Sequence, residues 1–180
     1  MRGEEQQVKK AMDAVSRGIS PAFQKEVMNV LQSLFKTGVL PKEALGFNNQ
    51  KIEVIYSQAY RLYNTGKYVE ASHLFRLLLV LDPTEAKYGL GLAACLHLLK
   101  EYQNAIQAYT LVGIIDGGSP LPHFHASDCY LQMGDKASAV ISLEMAVKRA
   151  GEKAEYQVLK DRSLLTIEGL KKEILAELSA

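Results

Sequence analysis

The sequence predicts an all-α protein made of three helix–turn–helix repeats, with one helix before the repeats and one after them. Three observations predict this fold. The segments 52–85, 86–119 and 120–153 align without a gap at a period of 34 residues. Small and bulky side chains recur at fixed places in each segment. A helix-breaking Pro or Gly stands near the end of each segment, so each unit closes before the next begins.

Each position at which the same type of side chain recurs in the three aligned segments has a physical reason. Small side chains let two antiparallel helices approach closely, and a bulky side chain fills the space that remains between them. A 34-residue period of this kind is typical of tetratricopeptide repeats, which stack into a tetratricopeptide-like solenoid. The columns are Ala59, Ala93 and Ser127 in the first helix, Ala71, Ala105 and Ala139 in the second, then Phe75, Tyr109 and Leu143, and the breakers Pro83, Gly117 and Gly151.

Residues 1–51 are expected to form an N-terminal helical region and a linker. Ser20 and Pro21 are a favourable helix start, Gly38 is expected to end that helix, and 38–51 reads as the linker. The helix carries an apolar stripe that must be buried, on the first repeat or on a second copy of the chain. The stripe consists of Phe23, Val27, Val30, Leu31 and Leu34.

Residues 154–180 are expected to form a C-terminal capping helix. Apolar side chains recur there at helical spacing, and the opposite positions are charged. A solenoid has to cover the apolar face of its last repeat, and an amphipathic helix does so while presenting a polar face to water.

Composition excludes several classes of function. The 180 residues carry 21 Lys and Arg against 20 Asp and Glu, a net charge of +1. A dedicated nucleic-acid binder or a polybasic membrane-surface module needs a basic excess, so we expect neither nucleic acid nor membrane insertion. No secretory signal is visible, and two cysteines suit a reducing cytoplasm.

Catalytic and metal chemistry have little support in the sequence. His125 and Cys129 lie four residues apart, but zinc normally takes four ligands at characteristic spacing. Cys95 and Cys129 occupy the same column of successive repeats, where a small packing side chain is usual. We therefore expect no metal, no cofactor and no enzymatic activity.

The first helix of each repeat is expected to line the concave face of the solenoid. In repeats of this type the second, fifth, ninth, twelfth and thirteenth positions of each segment point inward. These positions are Glu53, Tyr56, Tyr60, Tyr63 and Asn64, then Lys87, Leu90, Ala94, His97 and Leu98, then Leu121, Phe124, Asp128, Leu131 and Gln132.

The tyrosines at 56, 60 and 63 have two interpretations. Aromatic stripes at helical spacing usually belong to a core. However, Ile55, Ala59 and Leu62 already supply the expected core positions of this helix, which leaves the tyrosines on a separate face. Such a face suits a peptide, because Tyr offers contact area at low entropic cost. The expected ligand is an extended, largely apolar or proline-containing segment.

Three segments carry a resemblance to a known family. They are 62–71, LYNTGKYVEA; 89–95, GLGLAAC; and 122–134, PHFHASDCYLQMG. The last is similar to a Pro-x-Phe-His-Ala-x-x-Cys-x-Leu-x-x-Gly stretch of the class II chaperones of bacterial type III secretion, the SycD/LcrH-like group. Generic tetratricopeptide proteins do not share this stretch. The resemblance covers roughly 52–175.

The resemblance implies a function that the residues alone do not supply. Class II chaperones bind hydrophobic translocator proteins in the bacterial cytoplasm before export, and grip a Pro-x-Leu-x-x-Pro segment in the concave groove. Their aromatic binding residues correspond here to Tyr56, Tyr60 and Tyr63. Some members also partner with transcriptional regulators, and the N-terminal region often contributes to a dimer, so the resemblance implies a homodimer here. The alternative is a scaffold or regulatory adaptor within a secretion system.

Overall fold

The computed structural model describes Lys25, Asn29 and residues 40–179, and this part of the chain is helical and contains no strand. After the short α1, three pairs of helices follow one another, and a long helix ends the described chain. The helices are α1 (Pro41–Ala44), α2 (Asn49–Asn64), α3 (Tyr68–Leu81), α4 (Ala86–Leu98), α5 (Tyr102–Ile115), α6 (Leu121–Gln132), α7 (Lys136–Ala150), a 3-10 turn (Ala154–Tyr156) and α8 (Gln157–Leu178).

The predicted linker is partly helical, which corrects the sequence interpretation of 38–51. Pro41 begins α1, because proline fits the first turn of a helix, where its missing N–H is not needed. The side chain of Asn48 then accepts a hydrogen bond from the backbone N–H of Lys51 (2.9 Å) and caps α2. Lys42 forms an ion pair with Asp82 and so ties this segment to the end of α3.

The predicted N-terminal helix lies almost entirely outside the described residues. Lys25 and Asn29 are helical and exposed. The expected helix start, the expected stop and the whole apolar stripe are outside the described part, so the dimer prediction stays a prediction.

The turns between paired helices use one backbone conformation. Gly66 and Gly134 have φ of 78° and 77°, in the left-handed region that glycine adopts without a steric penalty. Lys100 stands in the same column of the middle repeat with φ of 61°. The middle turn therefore holds a strained residue where the first and third have glycine.

The core lies between the stacked helix pairs. Each pair packs on the next, and α8 packs along α7. One buried cluster runs from Ile52 on α2 to Cys129 on α6. A second joins α7 to Ile167 and Leu170 of α8, so the C-terminal helix covers the apolar face of the last repeat. This is the all-α solenoid with a capping helix that the sequence predicts.

Candidate peptide-binding groove

Two neighbouring cavities open between the first helices of the repeats, on the side that is concave in this type of solenoid. The first has a volume of about 270 Å³ and the second about 280 Å³. Tyr63, Leu90 and Ala94 line both, so we treat the two cavities as one groove. The first cavity is completed by Tyr56, Tyr60, Phe75, Lys87 and Gly91, and the second by His97, Leu98, Tyr109, Leu121 and His125.

The three tyrosines of α2 differ in exposure. Tyr60 is 53% exposed and stacks on Tyr56, with ring centroids 6.3 Å apart. Tyr56 and Tyr63 are half-buried and pack against the main core. The expectation that all three lie on a face separate from the core is therefore wrong for two of them, because both rings reach down between helices. Burial also raises the pKa of the Tyr63 hydroxyl, which stays protonated at neutral pH.

The floor of the groove comes from second helices, which the sequence prediction did not assign to the site. Phe75 of α3 lines the first cavity and Tyr109 of α5 lines the second, and each is only 2% exposed. Both occupy the position at which a bulky residue recurs in every repeat. That recurrence was the signal available in the sequence, because a bulky side chain that fills the space between packed helices can also reach the surface beyond them.

Gly91 allows the Phe75 ring to pack beneath the first cavity. A Cβ atom at Gly91 would lie 2.4 to 2.6 Å from three atoms of the Phe75 ring, too close for any side chain. Gly89, on the same helix, would bring a Cβ within 2.6 Å of Cγ2 of Val112. The two glycines therefore let α4 pack directly on its neighbours, and Gly91 leaves room for the Phe75 ring at the bottom of the first cavity.

A lysine lies at the edge of the first cavity. The ammonium of Lys87 is 4.6 Å from the ring centroid of Tyr56 and 5.4 Å from that of Tyr88. It is also 3.7 Å from the carboxylate of Glu53. These contacts favour a cation over the aromatic faces and hold its charge near the mouth of the cavity.

The second cavity is more polar. Nε2 of His97 on α4 lies 2.9 Å from Oδ2 of Asp128 on α6, which joins the second and third repeats across the groove. The imidazole of His125 stacks on the ring of Tyr109 at 5.7 Å. His125 was not among the predicted inward positions.

The remaining predicted groove residues lie outside the two cavities. Phe124 and Leu131 pack against the second core cluster, and the guanidinium of Arg162 on α8 is 5.7 Å from the Phe124 ring. Asn64 and Gln132 are exposed at the ends of α2 and α6. The capping helix thus covers part of the face that repeat geometry alone assigns to the groove.

Within residues 40–179, no group of three or more His, Cys, Asp or Glu side chains is placed to hold a metal ion. Both cysteines are buried and reduced, and burial raises the pKa of each thiol to about 12. None of the helices in this part of the chain combines the length and hydropathy of a membrane span.

The stacked helix pairs define a tetratricopeptide protein, and aromatic side chains line the groove between its first helices. A tetratricopeptide-repeat family model matches residues 52–84 and 88–112. The low calcium response locus protein H of Yersinia pestis is 34% identical over 151 residues, covering 83% of this chain and 90% of that protein. The chain therefore belongs to the LcrH/SycD family of type III secretion translocator chaperones.

Solved structures agree with this family. The chaperone SycD of Yersinia enterocolitica, in complex with a peptide of the translocator YopD, is 33% identical with a TM-score of 0.67, and the match covers 70% of this chain and 96% of SycD. PcrH of Pseudomonas aeruginosa, in complex with the chaperone-binding region of PopD, is 30% identical with a TM-score of 0.68, covering 71% and 96%.

Proposed function

We propose that this chain is a bacterial cytoplasmic chaperone that binds hydrophobic translocator proteins through an extended Pro/Leu-containing segment in the groove. It keeps these clients soluble before export. The observation that carries the proposal is the pair of contiguous cavities, which are lined mainly by tyrosine, phenylalanine and aliphatic side chains.

The division of the groove into two cavities favours a peptide over a single compact ligand. The cavities, of about 270 and 280 Å³, lie side by side and share the lining residues Tyr63, Leu90 and Ala94. Such a pair suits successive side chains of an extended segment. Proline is favoured in that segment, because its restricted backbone loses little entropy on binding.

The relatives support the client class. SycD has been solved with a peptide of the translocator YopD, and PcrH with the chaperone-binding region of PopD. Translocator segments destined for a membrane aggregate if left exposed in water. A chaperone that binds them lowers the free concentration and so opposes aggregation by mass action. Micromolar affinity, about −8 kcal/mol, is enough for this and still permits release.

A fluorescence-anisotropy titration with a labelled Pro-x-Leu-x-x-Pro peptide tests the proposal. The informative variant is Tyr60→Ala, because an exposed ring can be removed without opening the core. We expect its affinity to fall about 5- to 30-fold, as for an aromatic side chain central to an interface. The matched control is Val54→Ala, on the same helix and 66% exposed but outside both cavities.

Two outcomes would count against groove binding. If the wild-type chain does not bind the peptide, the groove is not the client site. If Tyr60→Ala and Val54→Ala bind alike, the peptide docks elsewhere. A client that still associates after loss of Tyr60 would favour the alternative function, a scaffold or adaptor that binds through another surface.

The solubility role needs a separate measurement. A hydrophobic translocator is expressed with the wild-type chain, with Tyr60→Ala, or alone, and its soluble fraction is compared after centrifugation. We expect the soluble fraction to follow the peptide affinities. A translocator that is equally soluble in all three cases would contradict the role.

A homodimer is part of the proposal. SycD has been solved as a dimer. Light scattering on residues 1–180 and on a chain beginning at Leu40, which retains α1 and its ion pair to Asp82, compares the two masses. We expect the longer chain to be dimeric and the shorter one monomeric, and a dimer of the shorter chain would exclude dimerisation through the N-terminal stripe.

A further inference from the structure

The second cavity differs from the first in carrying two imidazoles. His97 comes from α4 and His125 from α6, and both line a cavity whose other side chains are aliphatic or tyrosine. Histidine is the side chain whose charge changes most readily between pH 5 and 8. A client side chain seated in this cavity therefore meets surroundings whose charge depends on pH.

The charged and titratable neighbours of the two imidazoles are Tyr63, Tyr102, Tyr109 and Asp128. His97 pairs with Asp128 at 2.9 Å, and its ring centroid lies 5.9 Å from that of Tyr102 and 6.5 Å from that of Tyr109. Tyr63 of α2 lines the opposite wall of the cavity. The contacts join four helices around one small space.

His125 is exposed, whereas His97 is half-buried and paired with Asp128. The ring of His125 stacks on Tyr109 and meets the edge of Phe124 at 5.7 Å. Desolvation by the surrounding protein lowers the pKa of His125, and the nearby His97 lowers it further, against an opposing effect of Asp128. The groove without a client therefore favours the neutral form of His125 more than water does.

We propose that His125 determines what the second cavity accepts. The cavity takes an uncharged, apolar client side chain while this imidazole is neutral, and it binds that side chain poorly once the imidazole carries a proton. An apolar side chain displaces the water that solvates the imidazolium, and removing that water from a charge is costly. This inference rests on the proposed groove binding and adds a chemical selectivity to it.

The expected size of the effect follows from linkage. A histidine that must be neutral in the complex weakens binding by up to tenfold for each pH unit below its pKa in the free chaperone. By reciprocity, a bound client lowers the pKa of the same histidine. Because the pKa of His125 lies below its ordinary value of about 6.5, we expect the affinity for an apolar peptide to fall by at most about tenfold between pH 7.5 and pH 5.5.

The test is the anisotropy titration repeated at pH 7.5, 6.5 and 5.5. The peptide is a Pro-x-Leu-x-x-Pro sequence, acetylated and amidated, without titratable side chains, so only the chaperone changes charge. The variant His125→Gln keeps a polar side chain of similar size that does not titrate. The matched control is His73→Gln, since His73 is exposed on α3 and lines neither cavity. Circular dichroism at each pH checks that every variant stays folded.

The outcomes separate this inference from the proposed function. A loss of affinity at pH 5.5 in the wild-type chain and in His73→Gln, with a flat profile in His125→Gln, supports it. Equal pH dependence in the wild-type chain and His125→Gln overturns it, as does a flat wild-type profile. No binding by the wild-type chain at pH 7.5 instead overturns groove binding itself.

A second arm probes selectivity from the client side. Each of the three anchors of the peptide, the two prolines and the leucine, is replaced by Glu in turn. We expect all three peptides to bind weakly at pH 7.5, and one of them to regain at least threefold at pH 5.5, because its carboxylate meets an imidazolium. If none regains affinity, the cavity does not discriminate by charge.

Discussion

Replacing Gly91 by Ala is a direct test of how the groove floor is built. The added Cβ would lie 2.4, 2.5 and 2.6 Å from three atoms of the Phe75 ring, whereas carbon atoms in contact prefer about 3.5–4.0 Å. The ring cannot easily move away, because Phe75 is 2% exposed and packed in the main core. Either α4 shifts outward or the ring turns into the first cavity.

The magnitude follows from two opposing effects. Alanine favours a helix over glycine by up to about 1 kcal/mol. Overpacking a well-packed core costs about 1–3 kcal/mol, and three simultaneous close contacts place this case at the upper end. We therefore expect Gly91→Ala to lower the free energy of unfolding by about 1–2 kcal/mol. A ring turned into the first cavity would also weaken peptide binding.

Urea denaturation followed by circular dichroism measures the effect. With a slope of about 2 kcal/mol per molar urea, the midpoint should fall by about 0.5–1 M. The control is Gly169→Ala in α8, where a Cβ would meet nothing within 4 Å. It should stabilise the protein by about 0.5–1 kcal/mol. If Gly91→Ala were as stable as wild type or more so, the close packing of Phe75 under α4 would be refuted.

Three further predictions concern stability and reactivity. Lys100→Gly should raise the free energy of unfolding by about 0.5–1 kcal/mol in urea, because φ at this position is 61°; a loss of stability would contradict the strain. Asp82→Ala should lower it by about 3 kcal/mol at neutral pH by breaking a buried ion pair. Burial alone would raise the pKa of Asp82, but hydrogen bonds from Lys42 and Thr84 outweigh it and lower the pKa. The contribution is therefore present above about pH 4 and lost as the pH falls further, so the gap between variant and wild type should narrow at pH 3. Cys95 and Cys129 should react with a thiol reagent at pH 8 only after unfolding, since burial raises both pKa values to about 12, and rapid labelling of the native protein would contradict this.

The repeat period predicted the helix pairs, because each recurring residue meets a packing requirement within one repeat, and the same requirement returns in the next repeat. Ala59 and Ala71 are fully buried where two helices meet. The period could not predict α1, whose start depends on Pro41 and on a contact with the distant Asp82. It also could not show that α8 covers Phe124, since that depends on how a segment outside the repeats packs.

The sequence predicted the groove residues whose position depends on the face of a single helix. It did not predict the residues that reach the groove because several helices pack together. Tyr60 lies on the inward face of α2 and remains exposed, as spacing alone suggests. Phe75 and Tyr109 reach the groove from the opposite helix of each pair, and His125 reaches it beside Tyr109. Helical periodicity describes one helix at a time. It therefore assigns such residues to the core and cannot show that they also line a groove between helices.

The half-buried tyrosines connect folding with binding. Tyr56 and Tyr63 contact the main core on one side and the cavities on the other, so substitutions there change stability and affinity together. Tyr60 contacts the core much less, so its substitution should change affinity alone. Because the groove walls are also part of the core, their geometry is set in the chain without a client. In the proposed binding mode little ordering cost is left on the side of this chain, so a short segment needs less contact area than it would on a flexible surface.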